Sequence, residues 1–197
     1  MKKFYLCSIT LLTLLIFGTA LNAQDFGDET TMTRQEARKA ARAAHRKAME
    51  AENQQLFQQA VQALKDGSFV IEADQLLFPQ GLTKFVSSLT NFVSMNDGKA
   101  VIQIATSNFR PGPNGVGGIT VEGTPSNITM STSKRGIVYY NFMDQGIAVS
   151  ATVNIQLTGD GNRATVTIYP NFNSNNLTMT GVLVPYEQSN VFQGQTI

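Results

Sequence analysis

The chain has 197 residues, with 15 Lys and Arg against 14 Asp and Glu, one His, one Cys and no Trp, and only 15% of it is charged. So neutral a balance excludes a nucleic-acid binder driven by phosphate neutralisation and a charged disordered tail. One His and one Cys leave almost no material for a metal cage or thiol chemistry, and the length suits one domain.

Met1-Lys2-Lys3 precedes a twelve-residue apolar run from Leu6 to Phe17, the cleavage-type segment Gly18 to Ala23, and then polar Gln24-Asp25. That order is the pattern of a secretory signal peptide, and the run is too short for a membrane span of about 20 residues. We expect cleavage after Ala23, with Ala20 as the alternative. Cys7 lies early in the apolar run rather than after the cleavage region, so no lipoprotein is expected. Loss of residues 1–23 leaves 13 basic and 14 acidic side chains and no Cys in 174 residues. The expected product is an exported, disulfide-free protein, periplasmic or extracellular, held together by its hydrophobic core.

Residues 24–67 read as a flexible leader followed by one helix. Thr33 to Lys65 contains no Gly or Pro and is rich in Ala, Gln, Glu, Lys and Arg, the residues of high helix propensity. Thr33 with Glu36 forms a capping box, and Gly67 stands where a left-handed cap belongs. Phe57, Ala60, Val61 and Leu64 make an apolar stripe able to dock on a core. Residues 34–48 instead carry Arg34, Arg38, Lys39, Arg42, Arg46 and Lys47 against Glu36 alone. We expect this arm to be solvated unless it meets an anionic envelope surface or self-associates through the alanine face within residues 34–51.

Residues 68–197 form the β domain, with 13 charged residues in 130. Alternation predicts strands at 68–74, 90–95, 99–105, 118–123, 126–133, 136–143, 146–157, 162–169 and 177–184. Ile147, Val149, Ala151, Val153, Ile155 and Leu157 share one face, and Tyr140 faces inward with Val138 and Phe142. Asn96-Asp97-Gly98 is a hairpin turn. Short connections predict an antiparallel meander, closed into a barrel-like sheet with residues around Val191 to Gly194 pairing near the first strand. The fold class is therefore mostly β with an N-terminal helix (α+β); a two-sheet β-sandwich is the alternative.

Several stretches carry a family resemblance: Phe69 to Ala73, Thr90 to Val93, the motif Gly112 to Gly123, Tyr169 to Asn173, and Val191 to Gly194. Through them, over residues 45–197, the chain resembles the domain of unknown function 4251 family, found mainly in exported proteins of anaerobic Gram-negative gut bacteria. The resemblance implies an exported location and a β-rich domain. It carries no assigned activity and hence no site residues.

The residues offer little chemistry. His45, the single imidazole, lies among Ala and Arg on the arm, without the partners a triad or zinc site requires. The glycine-rich loop Asn108 to Gly118 leads into a strand and lacks the Lys-Ser/Thr of a P-loop, so both nucleotide readings fail. It remains a candidate binding loop, with Asn108, Arg110 and Asn114 on it and Glu122 beyond it. Tyr139, Tyr169 and Phe172 are candidate ligand-contact aromatics, within a larger set of Tyr and Asn that includes Tyr186 and suits a glycan or a small apolar molecule. The β domain's seven acids are Glu72, Asp74, Asp97, Glu122, Asp144, Asp160 and Glu187, and nothing in the sequence marks any as buried or shifted. No catalytic residue, metal or cofactor is expected, and no nucleic-acid partner. The sequence reads as a non-catalytic binding or envelope-interaction module; the alternative is a carbohydrate-active hydrolase using a carboxylate pair, with Glu122 as first candidate.

Overall fold

The protein is described by a computed structural model covering residues 33–106, 114–146, 150–171 and 175–196. The chain divides after Lys39, and the sheet lies in the compact unit Ala40–Ile197.

Helix α1 runs from Arg34 to Asp66. It starts as its sequence requires: the Glu36 N–H donates to Thr33 Oγ1 at 3.3 Å, and the Thr33 N–H donates to Glu36 Oε2 at 2.8 Å. It ends where Gly67 turns to φ 64°, letting the Gly67 N–H reach the Leu64 carbonyl and the Ser68 N–H reach that of Ala63. Residues Arg34 to Glu52 are all exposed. Later, Phe57, Ala60, Val61, Ala63 and Leu64 enter the main core.

Among the described residues nine strands follow: β1 (Phe69–Leu77), β2 (Thr83–Phe85), β3 (Phe92–Asn96), β4 (Lys99–Ala105), β5 (Gly118–Thr132), β6 (Val138–Gly146), β7 (Ser150–Leu157), β8 (Arg163–Pro170) and β9 (Leu177–Pro185). Neighbours run β1-β3-β4-β5-β6-β7-β8-β9, all antiparallel, and β9 pairs back onto β1 from Phe69↔Pro185 to Leu77↔Thr178. The result is a closed eight-stranded barrel, with β2 added to the far half of β1.

Three details differ from the sequence expectation. The strands expected at 118–123 and 126–133 are one long strand, β5, bent by an irregularity between Ser126 and Thr129 where Asn127 adopts φ 52°. Closure comes through β9, whereas residues 191–196 form no strand and lie as a strap bonded to β4 and the residues before β3. β2, with every residue exposed, carries no alternating signal that sequence could reveal.

The pleat decides what fills the barrel. Val138, Tyr140 and Phe142 of β6, Ala151, Val153, Ile155 and Leu157 of β7, and Ala164, Val166 and Ile168 of β8 all point into one core. Ile147 and Val149 lie outside the described residues. Phe69 meets Tyr140 edge-on at 5.6 Å, and Tyr140 meets Phe142 at 6.2 Å. The outward positions Thr152, Asn154, Gln156, Thr165 and Thr167 are polar, an inside-out polarity opposite to that of a membrane-spanning barrel. One patch of outer wall is apolar instead: Val70, Phe92 and Val101 are buried there beside Val184 and Val191.

Candidate functional site

The strap is held by side chains that alternation places on the outer wall. Gln103 on β4 is fully buried. Its amide donates to the carbonyls of Thr90 at 3.0 Å and Phe192 at 2.8 Å, while its Oε1 accepts from the Gly194 N–H at 2.7 Å and the Thr120 hydroxyl at 2.8 Å. Asn114, also buried, extends this network: it donates to Thr120 Oγ1 at 3.1 Å, and its Oδ1 accepts from the N–H groups of Val116 and Gly118. Its carbonyl accepts from the Gln195 N–H at 2.9 Å. Asn114, expected to present a binding loop to a ligand, is thus engaged with its own protein.

Beside the strap lies a polar groove of about 350 Å³, with Val101 beneath Ser94, Asn96, Lys99, Glu122, Tyr186 and Gln193. Glu122 pairs across the ladder with Val101, which puts it on this outer face. The Lys99 ammonium donates to Glu122 Oε1 at 2.9 Å, and that bond holds the Glu122 carboxyl below its ordinary range and raises Lys99. Gln193 donates a longer bond to Glu122 at 3.4 Å. A second groove, of about 400 Å³, lies between the end of α1 and the short 3-10 turn Tyr186–Gln188, where Gln59, Gln62, Asp66, Ser68 and Glu187 contribute. Tyr186, 40% exposed, lines both grooves.

Two further sequence candidates are not gathered there. Tyr139 and Tyr169 stand half-exposed on the outer wall. Tyr139 opposes Gln156, which opposes Thr165, four residues before Tyr169. The two tyrosines are therefore about 13 Å apart along the strands and about 10 Å across them. Asn108, Arg110 and Phe172 lie outside the described residues. His45 is exposed on α1. Among the described residues no cluster of three or more His, Cys, Asp or Glu could hold a metal.

One acid that the expected strands leave unmarked is buried. Asp144 continues the inward series of Val138, Tyr140 and Phe142, opposes Ala151, and is 1% exposed. Among the described residues, neither carboxylate oxygen has a hydrogen-bond partner. Burial, aided by the charge of Glu122, pushes its pKa up to about 6. Glu122 faces outward and Asp144 inward, so the barrel wall separates them and they share no cleft. Elsewhere, Asp74 accepts a two-pronged bond from Arg163 at 2.9 and 2.8 Å, and Glu72 accepts from the Ser189 hydroxyl at 2.7 Å. Asp97 also lines the first groove, in the exposed turn between β3 and β4. A general acid must keep its proton near neutral pH, yet the groove's Glu122 is held ionised by Lys99.

The family sequence model described as a domain of unknown function (DUF4251) matches residues 51–183. Among solved structures, the crystal structure of a DUF4251 family protein from Bacteroides eggerthii DSM 20697 is similar, at 50% sequence identity and a TM-score of 0.63, covering 73% of this chain and 96% of that one. Among curated proteins, none matches the chain. Matched over most of its length by the family model and half identical to a solved member, the chain belongs to the DUF4251 family, a domain of unknown function.

Proposed function

We propose that the protein is a non-catalytic binding module of the cell envelope whose ligand is polyhydroxylated, such as a glycan. One observation carries this reading: Tyr186 stands half-exposed between two grooves lined with amides, hydroxyls and carboxylates. A sugar presents an apolar ring face to an aromatic and hydroxyls to such groups. The barrel interior, filled by Phe69, Phe142, Ile155, Met179 and Leu183, favours this polar surface over an enclosed apolar ligand. The signal-like residues 1–23 support export, with the processed chain periplasmic or extracellular and free of a lipid anchor. N-terminal sequencing of the protein recovered outside the cytoplasm tests this; an intact Met1 would overturn it.

The binding test is titration of the isotope-labelled domain with neutral and amino-sugar oligosaccharides, followed by NMR. Shifts should centre on Tyr186, Gln193 and Asn96. Tyr186→Ala should weaken binding by about twofold to thirteenfold, the worth of one aromatic contact of about 0.5–1.5 kcal/mol. Binding that ignores Tyr186, or the absence of any shift across the panel, would sink the reading. The hydrolase alternative requires two carboxylates about 5–9.5 Å apart in one cleft, one acting as acid. Turnover of a glycoside panel that disappears in Glu122→Gln would restore it.

A further inference from the structure

The first half of α1 is a charged surface in search of a counter-surface. From Arg34 to Glu52 it is exposed throughout. Arg34, Arg38, Lys39, Arg42, Arg46 and Lys47 are set against Glu36, Glu50 and Glu52. Glu36 is occupied by the N-terminal cap, and Glu50 meets Arg46 at 3.5 Å in a solvent-exposed pair. The other cations have no ion-pair partner among the described residues. Arg34, Arg38, Arg42 and Arg46 stand four apart, forming a row about 18 Å long on the helix.

Left in water, this arrangement opposes the helix that carries it. Like charges four apart repel, and cations in the first turns face the positive end of the helix dipole. A layer of negative charge along the row reverses the sign of both effects. The alanines and Met49 on this half give no broad apolar face to insert into hydrocarbon, so contact would be adsorption to a surface. The β domain, with six basic and seven acidic residues, lacks the same pull, which concentrates the attraction on the arm.

We propose that residues 34–47 dock the protein on the headgroups of an anionic phospholipid bilayer. Each arginine of the series is turned about 40° from the one before, so the long side chains fan over one broad side of the helix and can reach a common layer of phosphates, to whose oxygens Arg forms paired hydrogen bonds. Each cation brought to such a surface strengthens binding by about fivefold.

The test uses the chain from Gln24 onward and co-sedimentation with vesicles of phosphatidylcholine, with and without phosphatidylglycerol. Binding should require phosphatidylglycerol and fall steeply once salt shortens the screening length to about 10 Å or less. The combined Arg42→Glu, Arg46→Glu and Lys47→Glu variant should lose at least a hundredfold, whereas Arg42→Lys with Arg46→Lys should retain most binding. Circular dichroism checks that both variants keep the fold. Equal binding to both vesicle types, or unchanged binding by the charge-reversed chain, overturns the proposal. So does complete displacement by inorganic phosphate at matched phosphate concentration, which would identify a free-anion site. Self-association through the alanine face, seen as a dimer that ignores vesicles, overturns it as well. Glycan binding at Tyr186 is read separately, so either result can fail without the other.

Discussion

Asp144 Oδ1 occupies the space where Gly123 would carry a side chain: a Cβ placed on Gly123 would lie 2.2 Å from that oxygen. The same Cβ would meet the backbone of Gln145 and Gly146 at 2.7 Å. Because Gly123 pairs with Gly146 across the β5–β6 ladder, the strands close around the acid where neither residue has a side chain. Gly123→Ala should destabilise by about 1–3 kcal/mol through overpacking. Adding Asp144→Gly should recover only part of this, since the backbone contacts remain. A double-mutant cycle in urea measures it; full additivity would mean the two residues do not compete for that space.

Asp144 also sets a pH dependence. Its folded pKa is raised from 3.8 to about 6, so the folded state holds the proton more tightly than the unfolded one. The stability it contributes is fully present below about 3.8 and is lost as pH rises through about 6. The interval corresponds to about 3 kcal/mol. Asp144→Asn keeps the volume and cannot ionise, so it should match wild type near pH 4 and exceed it by up to about 3 kcal/mol at pH 8. Parallel stability curves for the two proteins across this range would refute the assignment.

The alternation of β6 continues past Val138, Tyr140 and Phe142 to Asp144 at the same two-residue spacing, but the strand expected at 136–143 stops one residue short of it, so its burial went unread. Its lack of a partner was not legible at all, because partners come from other strands. The barrel itself was legible: period-two patterning marks β4, β6, β7 and β8, and short connections leave antiparallel neighbours as the simple solution. Gln103 was not legible. It occupies an outward position of β4, where a polar residue reads as solvated, and only the strap from a distant part of the chain buries it. The two grooves at Tyr186 were hidden likewise, since closure by β9 brings the β3–β4 turn and the strap to one side of it and the end of α1 to the other.

Gln103→Leu should therefore detach the strap without opening the barrel. The substitution leaves the Gly194 N–H, the Thr120 hydroxyl and the Thr90 and Phe192 carbonyls without the amide that joins them. Each buried group left unpaired costs about 1–3 kcal/mol, less where water reaches it after release. Hydrogen exchange should quicken at Phe192 and Gly194 while the amides of β7 and β8 stay protected. Protection lost evenly over the barrel would show that the strap is not a separable unit.

The two halves of α1 should respond in opposite ways to removal. Residues 34–48 are wholly exposed and bury no apolar surface, so deleting residues 25–48 should leave the denaturation midpoint of the barrel nearly unchanged. Leu64, 1% exposed, belongs to the same core cluster as Phe69 and Leu183. Leu64→Ala removes part of the barrel's packing and leaves a void that strands fixed by a closed hydrogen-bond ladder cannot easily collapse, at a cost of about 2–5 kcal/mol. Chemical denaturation of the two variants decides the matter. If the deletion proves as damaging as Leu64→Ala, the arm is part of the fold rather than a surface presented by it.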